Sequence, residues 1–305
     1  MRRDEKTGID FTEHLSSDSR DYWWNADYLG LLKHRLGLEK AASVLEVGCG
    51  QGHWMSQISS IVPSKAQLIG IDQNKKWLDM ARARFPGEVE SGRFTFQTGD
   101  AYCLNFPDDH FDLVTCQTLL VHLDQPQKAV REMLRVLKKG GRLLLVEPNN
   151  LSQFIRANTA QEALTREETL DLILFYMLVE DGKKASGEGR LSAYDELAQI
   201  ILDEGGNNVR LYTNDKAGYF APPYKATEEK AKIGYILSMA EKDFFFIIPP
   251  ESAERYFRAV SDDHALFQRL KAVSHKLNQA YIQQIKSGTL KGSLGCQMFI
   301  ATGTK

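Results

Sequence analysis

The segment Val44-Leu45-Glu46-Val47-Gly48-Cys49-Gly50-Gln51-Gly52 constrains this chain more than any other. Ser43–Val47 reads as a short buried strand, a glycine cluster follows at once, and His53–Ile61 then has helical spacing up to Pro63. Glycine lets the backbone turn sharply and approach a ligand with no Cβ in the way. The helix that follows offers unpaired N–H groups and the positive end of its dipole, which suit a carboxylate or a phosphate. A tight strand–helix turn would use the same residues, so the neighbouring segments must decide between the two.

Those neighbours repeat the alternation. Strands are expected at Gln67–Ile71, Phe94–Thr98, Phe111–Cys116 and Arg142–Val146, with helices at Lys75–Arg84 and Gln127–Leu137. Gly140-Gly141 suits a left-handed cap on the last of these helices. Before the glycine cluster, residues 18–36 read as a helix with Asp18 or Ser19 as N-cap, ended by Gly37. Five strands separated by helices imply an α/β fold: a Rossmann-like, doubly wound, mostly parallel sheet covered on both faces. Two later strands, Asn208–Tyr212 and Cys296–Thr302, bring it to seven, with the C-terminal strand closing the sheet. Leu151–Arg190 reads as helical, Leu191–Leu202 as a helix stopped by Gly205-Gly206, and 217–290 as mostly helical. The expected organisation is an N-terminal helical lid (1–40), a core (41–150), a helical cap insertion (151–190), a core helix and strand (191–216), a second cap insertion (217–290) and a final strand (291–305).

In an open α/β sheet, ligands sit beyond the carboxyl ends of the strands near the switch point. The strands here end in Gly48, Asp72, Asp100, Gln117 and Glu147, and that convergence locates the site. Asp72 lies about 20 residues past the glycines, where a carboxylate can accept both hydroxyl protons of a ribose. It can equally cap the following helix. Asp100 can accept from an exocyclic amine, with a neighbouring N–H meeting a ring nitrogen, or can be a turn residue.

Composition narrows the partners. With 38 Lys+Arg against 40 Asp+Glu, the formal net charge is −2, which gives no electrostatic footprint for sequence-independent nucleic-acid binding. The longest apolar run, Phe244–Ile248, stops at Pro249-Pro250, far short of the ~20 residues that span a bilayer, so no membrane association is expected. The N-terminal stretch carries acids and no apolar core, unlike a secretory signal. Cys49, Cys103, Cys116 and Cys296 are scattered, with no CxxC pair. That argues against a zinc ribbon or a disulfide framework, and reduced thiols in a cytoplasmic protein follow. No metal ligands are assigned.

LEVGCGQG (45–52), IGID (69–72), GDA (99–101) and the block FDLVTCQTLLVHLDQPQKAVREMLRVLKKGGRLLLVEP (111–148) together resemble the class I S-adenosylmethionine-dependent methyltransferases. The likeness covers about residues 20–150 well, and 191–216 and 293–303 loosely. It implies S-adenosylmethionine as cofactor, S-adenosylhomocysteine as product, and SN2 methyl transfer to an N, O, S or C nucleophile of a small metabolite. By the same resemblance, Gly48, Cys49, Gly50 and Gly52 hug the methionine part. Glu46 orients the ammonium through the loop, or else holds the loop N–H groups as a buried carboxylate. Asp72 takes the ribose, Gln73 borders the adenine, Asp100 and Ala101 read its edge, and Cys116 and Gln117 meet the amino-acid end. Tyr22 and Trp23, in Arg20–Trp24, resemble an aromatic entry helix covering the cofactor, although an aromatic stripe also serves as core.

His122 and Glu147 are the candidates for taking a proton, against a structural histidine and a helix-capping glutamate. Asn149, Tyr219 and Tyr224 are the candidates for touching substrate. No Asn/Asp-Pro-Pro-Tyr/Phe follows the fourth strand, which weakens nucleobase amine methylation. A NAD-dependent oxidoreductase would want GxGxxG, but His53 stands where the last glycine belongs. A non-catalytic binding module of the same fold is the other alternative.

Overall fold

A computed structural model describes residues 18–150, 157–192, 196–293 and 297–305. Its centre is a seven-stranded sheet. The strands are β1 (Ser43–Val47), β2 (Gln67–Asp72), β3 (Phe94–Thr98), β4 (Phe111–Gln117), β5 (Leu137–Asn149), β6 (Asn207–Thr213) and β9 (Gln297–Thr304), in the order β3-β2-β1-β4-β5-β9-β6. The pairs β3-β2, β2-β1, β1-β4 and β4-β5 are parallel. Strand β9 runs antiparallel to both neighbours, so it sits inside the sheet and β6 forms the edge. The C-terminal strand expected to close the sheet therefore inserts between two others. Cys296, at the start of the expected strand, lies outside the described residues, as do 151–156 and 193–195 of the expected helices.

The central strands are buried on both faces, as their unbroken apolar runs require. One face packs on helices α1 (Ala26–Leu36) and α2 (His53–Ile61), with Leu32, Trp54, Met55 and Ile58 in its core. The helices α3 (Lys75–Arg84) and α4 (Pro86–Glu90) extend that side. The other face packs on α5 (Pro126–Val136) and α7 (Leu197–Asp203) through Val130, Met133, Leu134, Leu197 and Ile201.

Two local expectations change. Residues 18–36 are not one helix. A 3-10 turn spans Asp18–Tyr22, and α1 starts at Ala26 after Asn25. Burial of Trp24 explains the break, because its ring packs 4.9 Å from Trp54 and 6.2 Å from Tyr28. Gly37 does end α1, at φ 66°. The second change concerns Gly140-Gly141. Helix α5 ends in extended backbone at Leu137, which already pairs with Phe111. The ladder resumes at Leu113–Arg142, so Gly140, at φ 74°, serves an irregularity within β5 and not a helix cap.

The remaining chain covers the strand ends. A 3-10 turn (Thr159–Ala163) and helix α6 (Arg166–Ala185) come first, then α8 (Thr227–Glu241), α9 (Pro250–Arg258) and α10 (His264–Lys286). Helix α6 starts at a reciprocal cap: the Glu168 N–H donates to Thr165 Oγ1 at 3.2 Å and the Thr165 N–H to Glu168 Oε2 at 2.8 Å. The stretches on either side of β6 share one apolar core that includes Phe175, Tyr176, Phe245, Phe257 and Leu270. A small pair, β7 (Tyr219–Phe220) with β8 (Gly292–Ser293), borders a second cluster around Phe220 and Leu290. No helix among the described residues is long and apolar enough to cross a membrane.

Candidate functional site

The glycine loop leaves β1 and is tied to the end of β2. The N–H groups of Gly48 and Cys49 both donate to the Ile71 carbonyl, at 2.8 and 2.9 Å. The Gly50 N–H donates to Asp72 Oδ2 at 2.9 Å, and the Asn74 N–H to Asp72 Oδ1 at 2.8 Å. Asn74 in turn caps α3, accepting from Lys76 at 3.0 Å. Asp72 thus clasps the loop to the next helix.

The glycines differ in what surrounds them. A Cβ on Gly48 would meet Leu119 Cδ1 at 2.7 Å, so the protein itself fills that space. A Cβ on Gly50 would have Trp77 Cε3 at 3.8 Å as its nearest neighbour. The backbone at Gly50 is left-handed, with φ 51°.

Glu46 lies beneath this loop, 2% exposed. Burial pushes its carboxyl well above the usual range, nearby Arg20 opposes that, and Asp72 adds to it. The Met55 N–H supports it, while Oε2 is buried with no hydrogen-bond partner. Trp77 presents a second such atom, its indole Nε1. Burial likewise raises the Cys49 thiol. Gln73 is exposed beside Asp72, and Ala101 is buried. Asp100 is exposed and accepts from the Tyr102 N–H at 2.9 Å, the geometry of a turn residue.

At the end of β4, Cys116 is fully buried and its Sγ lies 3.8 Å from Glu147 Oε1, while Gln117 is buried on the opposite side of the strand. Glu147 Oε1 accepts from Leu119 and Leu120 at 2.9 and 2.8 Å and its Oε2 from Val121 at 3.4 Å, so it anchors the 3-10 turn Leu120–His122. Burial raises its carboxyl to about 7 against those bonds.

The N-terminal segment docks on the same edge. Asp21 pairs with His53 Nδ1 at 2.8 Å and with Arg84. Burial works against ionised Asp21, but these two partners hold its carboxyl below the usual value. His53 is 5% exposed, and burial lowers its pKa against the pull of Asp21. Tyr22 and Trp23 are half-buried, and the Arg20 guanidinium stacks 4.9 Å from the Trp23 ring centroid.

Below the cap lies a cleft at the ends of β4 and β5. Thr118, Val121, His122, Pro148 and Asn150 form its floor, and α6, α8 and α9 supply Lys183, Tyr235 and Tyr256 to its roof. Of the expected substrate residues, Asn149 stands between two lining residues and donates to Gln297 Oε1 at 3.3 Å. Tyr219 is 65% exposed in β7. Tyr224 donates to the Leu290 carbonyl at 2.7 Å in the second cap cluster. Neither tyrosine is among the described residues lining the cleft. Trp77, Thr118 and Lys183 were not singled out from sequence. Only Trp77 carried a signal, an aromatic five residues after Asp72.

A sheet of this order, with a glycine loop after β1 and carboxylates near the ends of β1 and β2, defines a Rossmann-like α/β protein. Residues 45–145 match the family described as "Methyltransferase domain". The chain is similar to the uncharacterized methyltransferase YcgJ of Bacillus subtilis, 39% identical over 119 residues, which cover 39% of this chain and 46% of that protein. It is also similar to the ubiquinone/menaquinone biosynthesis C-methyltransferase UbiE of Pseudomonas paraeruginosa, 37% identical over 111 residues, or 36% and 43% of the two chains. The matched span is less than half the length of these curated relatives. The crystal structure of YcgJ superposes with a TM-score of 0.49 at 20% identity, covering 92% of this chain and 99% of that one.

Proposed function

We propose that the protein transfers a methyl group from S-adenosylmethionine to a small-molecule acceptor. The observation that carries this reading is a buried Glu46 oxygen that has no partner, together with a left-handed Gly50 whose Cβ would meet nothing nearer than Trp77 at 3.8 Å. A cationic amine satisfies such a carboxylate, and an adenosyl chain can lie against a backbone without Cβ. Asp72 ends β2 beside the glycine loop, where a carboxylate meets ribose hydroxyls. Gln73, Asp100 and Ala101 stand at the adenine end, and Cys116 and Gln117 flank the amino-acid end. The UbiE relative, named as a C-methyltransferase of quinone biosynthesis, supports a small-molecule acceptor. Free thiols at Cys49, Cys103 and Cys116 suit a reducing, cytoplasmic setting.

When bound, S-adenosylmethionine supplies an already activated methyl. The protein's task is then to align the acceptor and exclude water, which is chiefly positioning. The segment carrying Tyr22 and Trp23, held by Asp21 to His53 and Arg84, covers the entrance. Where the acceptor carries a proton, His122 takes it, because His122 lines the cleft. Glu147 is committed through both oxygens to backbone N–H groups. Titration calorimetry with S-adenosylhomocysteine tests the reading. Asp72→Ala should weaken binding by about 1–3 kcal/mol, the loss of hydrogen bonds to a charged group. No binding to the folded wild type, or unchanged affinity in the variant, overturns the assignment.

A further inference from the structure

Thr118 closes β4 and lines the cleft. Its φ is 55°, a left-handed conformation that a β-branched residue rarely adopts. Strain of this kind persists where the surroundings enforce it, and it clusters at ligand sites. The backbone is held by its N–H donating to the Val146 carbonyl at 2.9 Å. Its hydroxyl Oγ1 is buried and has no partner among the described residues. The next residue, Leu119, packs over Gly48, so this one turn separates the glycine loop from the cleft.

The rest of the lining sets the chemistry of what enters. Val121, Leu191, Ile247, Ile248 and Pro249 make the walls largely apolar. No carboxylate is among the described lining residues, whereas Lys183, 5% exposed, and Arg190 are. Lys183 Nζ donates to the carbonyls of Val121 and Arg190, at 2.9 and 2.6 Å, so its charge sits at the cleft wall. The Arg255 guanidinium lies 4.5 Å from the Tyr256 ring centroid, leaving that ring unsuited to a ligand cation. Arg190 is paired with Glu196 at 2.8 Å and Glu188 is taken up by Arg255 and the Tyr256 hydroxyl, so among the described residues a buried ammonium would meet the Lys183 charge and no uncommitted lining carboxylate.

We propose that this cleft binds the methyl acceptor, that the acceptor is a largely apolar molecule with a neutral or anionic polar head, and that Thr118 Oγ1 hydrogen-bonds that head. The assignment rests on the methyl-transfer reading for the name of the ligand, but not for its chemistry. The test uses three probes with similar tails, 4-octylphenol, decanoate and decylamine, titrated calorimetrically with and without saturating S-adenosylhomocysteine. The phenol and the carboxylate should each bind at least about tenfold tighter than the amine. Thr118→Val should weaken both about tenfold, the effect of one unmade buried hydrogen bond. Thr118→Ser should restore affinity to within about twofold, and S-adenosylhomocysteine affinity should not change in either variant. Equal binding of decylamine to the wild type, or full affinity of Thr118→Val for both other probes, overturns the proposal. If the probes behave as expected but S-adenosylhomocysteine does not bind, the methyl-transfer reading fails and the cleft chemistry stands.

Discussion

Asp72 and Gly50 show how much one residue pair can hold: a single carboxylate fixes the loop, and a left-handed glycine lets it turn. Gly50→Val should fold, because its Cβ has space, at a cost of about 1–2 kcal/mol for a left-handed branched residue. S-adenosylhomocysteine affinity should fall at least tenfold, read by calorimetry beside a thermal melt. Gly48→Val should instead lower stability more, since its Cβ would strike Leu119. Glu147 gives a pH prediction. Its folded value of about 7 lies above the ordinary 4.5, so the native state holds its proton more tightly. Its contribution to stability is complete below pH 4.5 and is lost as pH rises through 7. That contribution is at most about 3 kcal/mol at 1.36 kcal/mol per unit. Urea unfolding at pH 5.5 and 8 should show this slope in the wild type and not in Glu147→Gln. The glycine turn after β1 and the place of Asp72 at the end of β2 were legible because residue type and spacing announce them. Thr118 was not, because nothing in Gln117-Thr118-Leu119 announces a positive φ or an unpartnered hydroxyl.

At the scale of elements, helices and strands with a clean period were read to within a residue. His53–Ile61, Lys75–Arg84 and Phe94–Thr98 keep their expected bounds. Misreadings arose where tertiary contacts override local preference. Trp24 is drawn into the core and breaks the first helix, and pairing with Phe111 turns Leu137 from helix into strand. The cap was legible as helical but not in its packing, because α6 and α9 meet through residues far apart in the chain. Their contact is so close that a Cβ on Gly182 would clash with the Tyr256 carbonyl. Gly182→Ala should therefore destabilise the protein by about 2–3 kcal/mol, despite alanine's better helix propensity. Thermal unfolding measures it, and an unchanged or raised melting temperature would contradict the packing.

In the whole molecule, sheet and cap have separate apolar cores that meet across the cleft. The junction is polar. The Arg190 N–H and Lys183 Nζ both donate to Val121, at 2.8 and 2.9 Å, on the turn that Glu147 anchors. Lys183→Met removes one of these links and its bond to Arg190. Calorimetry should then resolve a second, lower transition where the wild type shows one, and a single unchanged transition would count against a separable cap. The order of the strands has its own consequence. The polypeptide leaves the sheet after β5, returns for α7 and β6, leaves again, and comes home as β9. The roof is thus stitched to its floor by four passages of chain, two of them through an inner and an outer strand of the same sheet. A roof sewn down in this way cannot swing on one hinge like a door. A change of diet in a descendant would then come from altered side chains along the cleft and not from a redesigned motion.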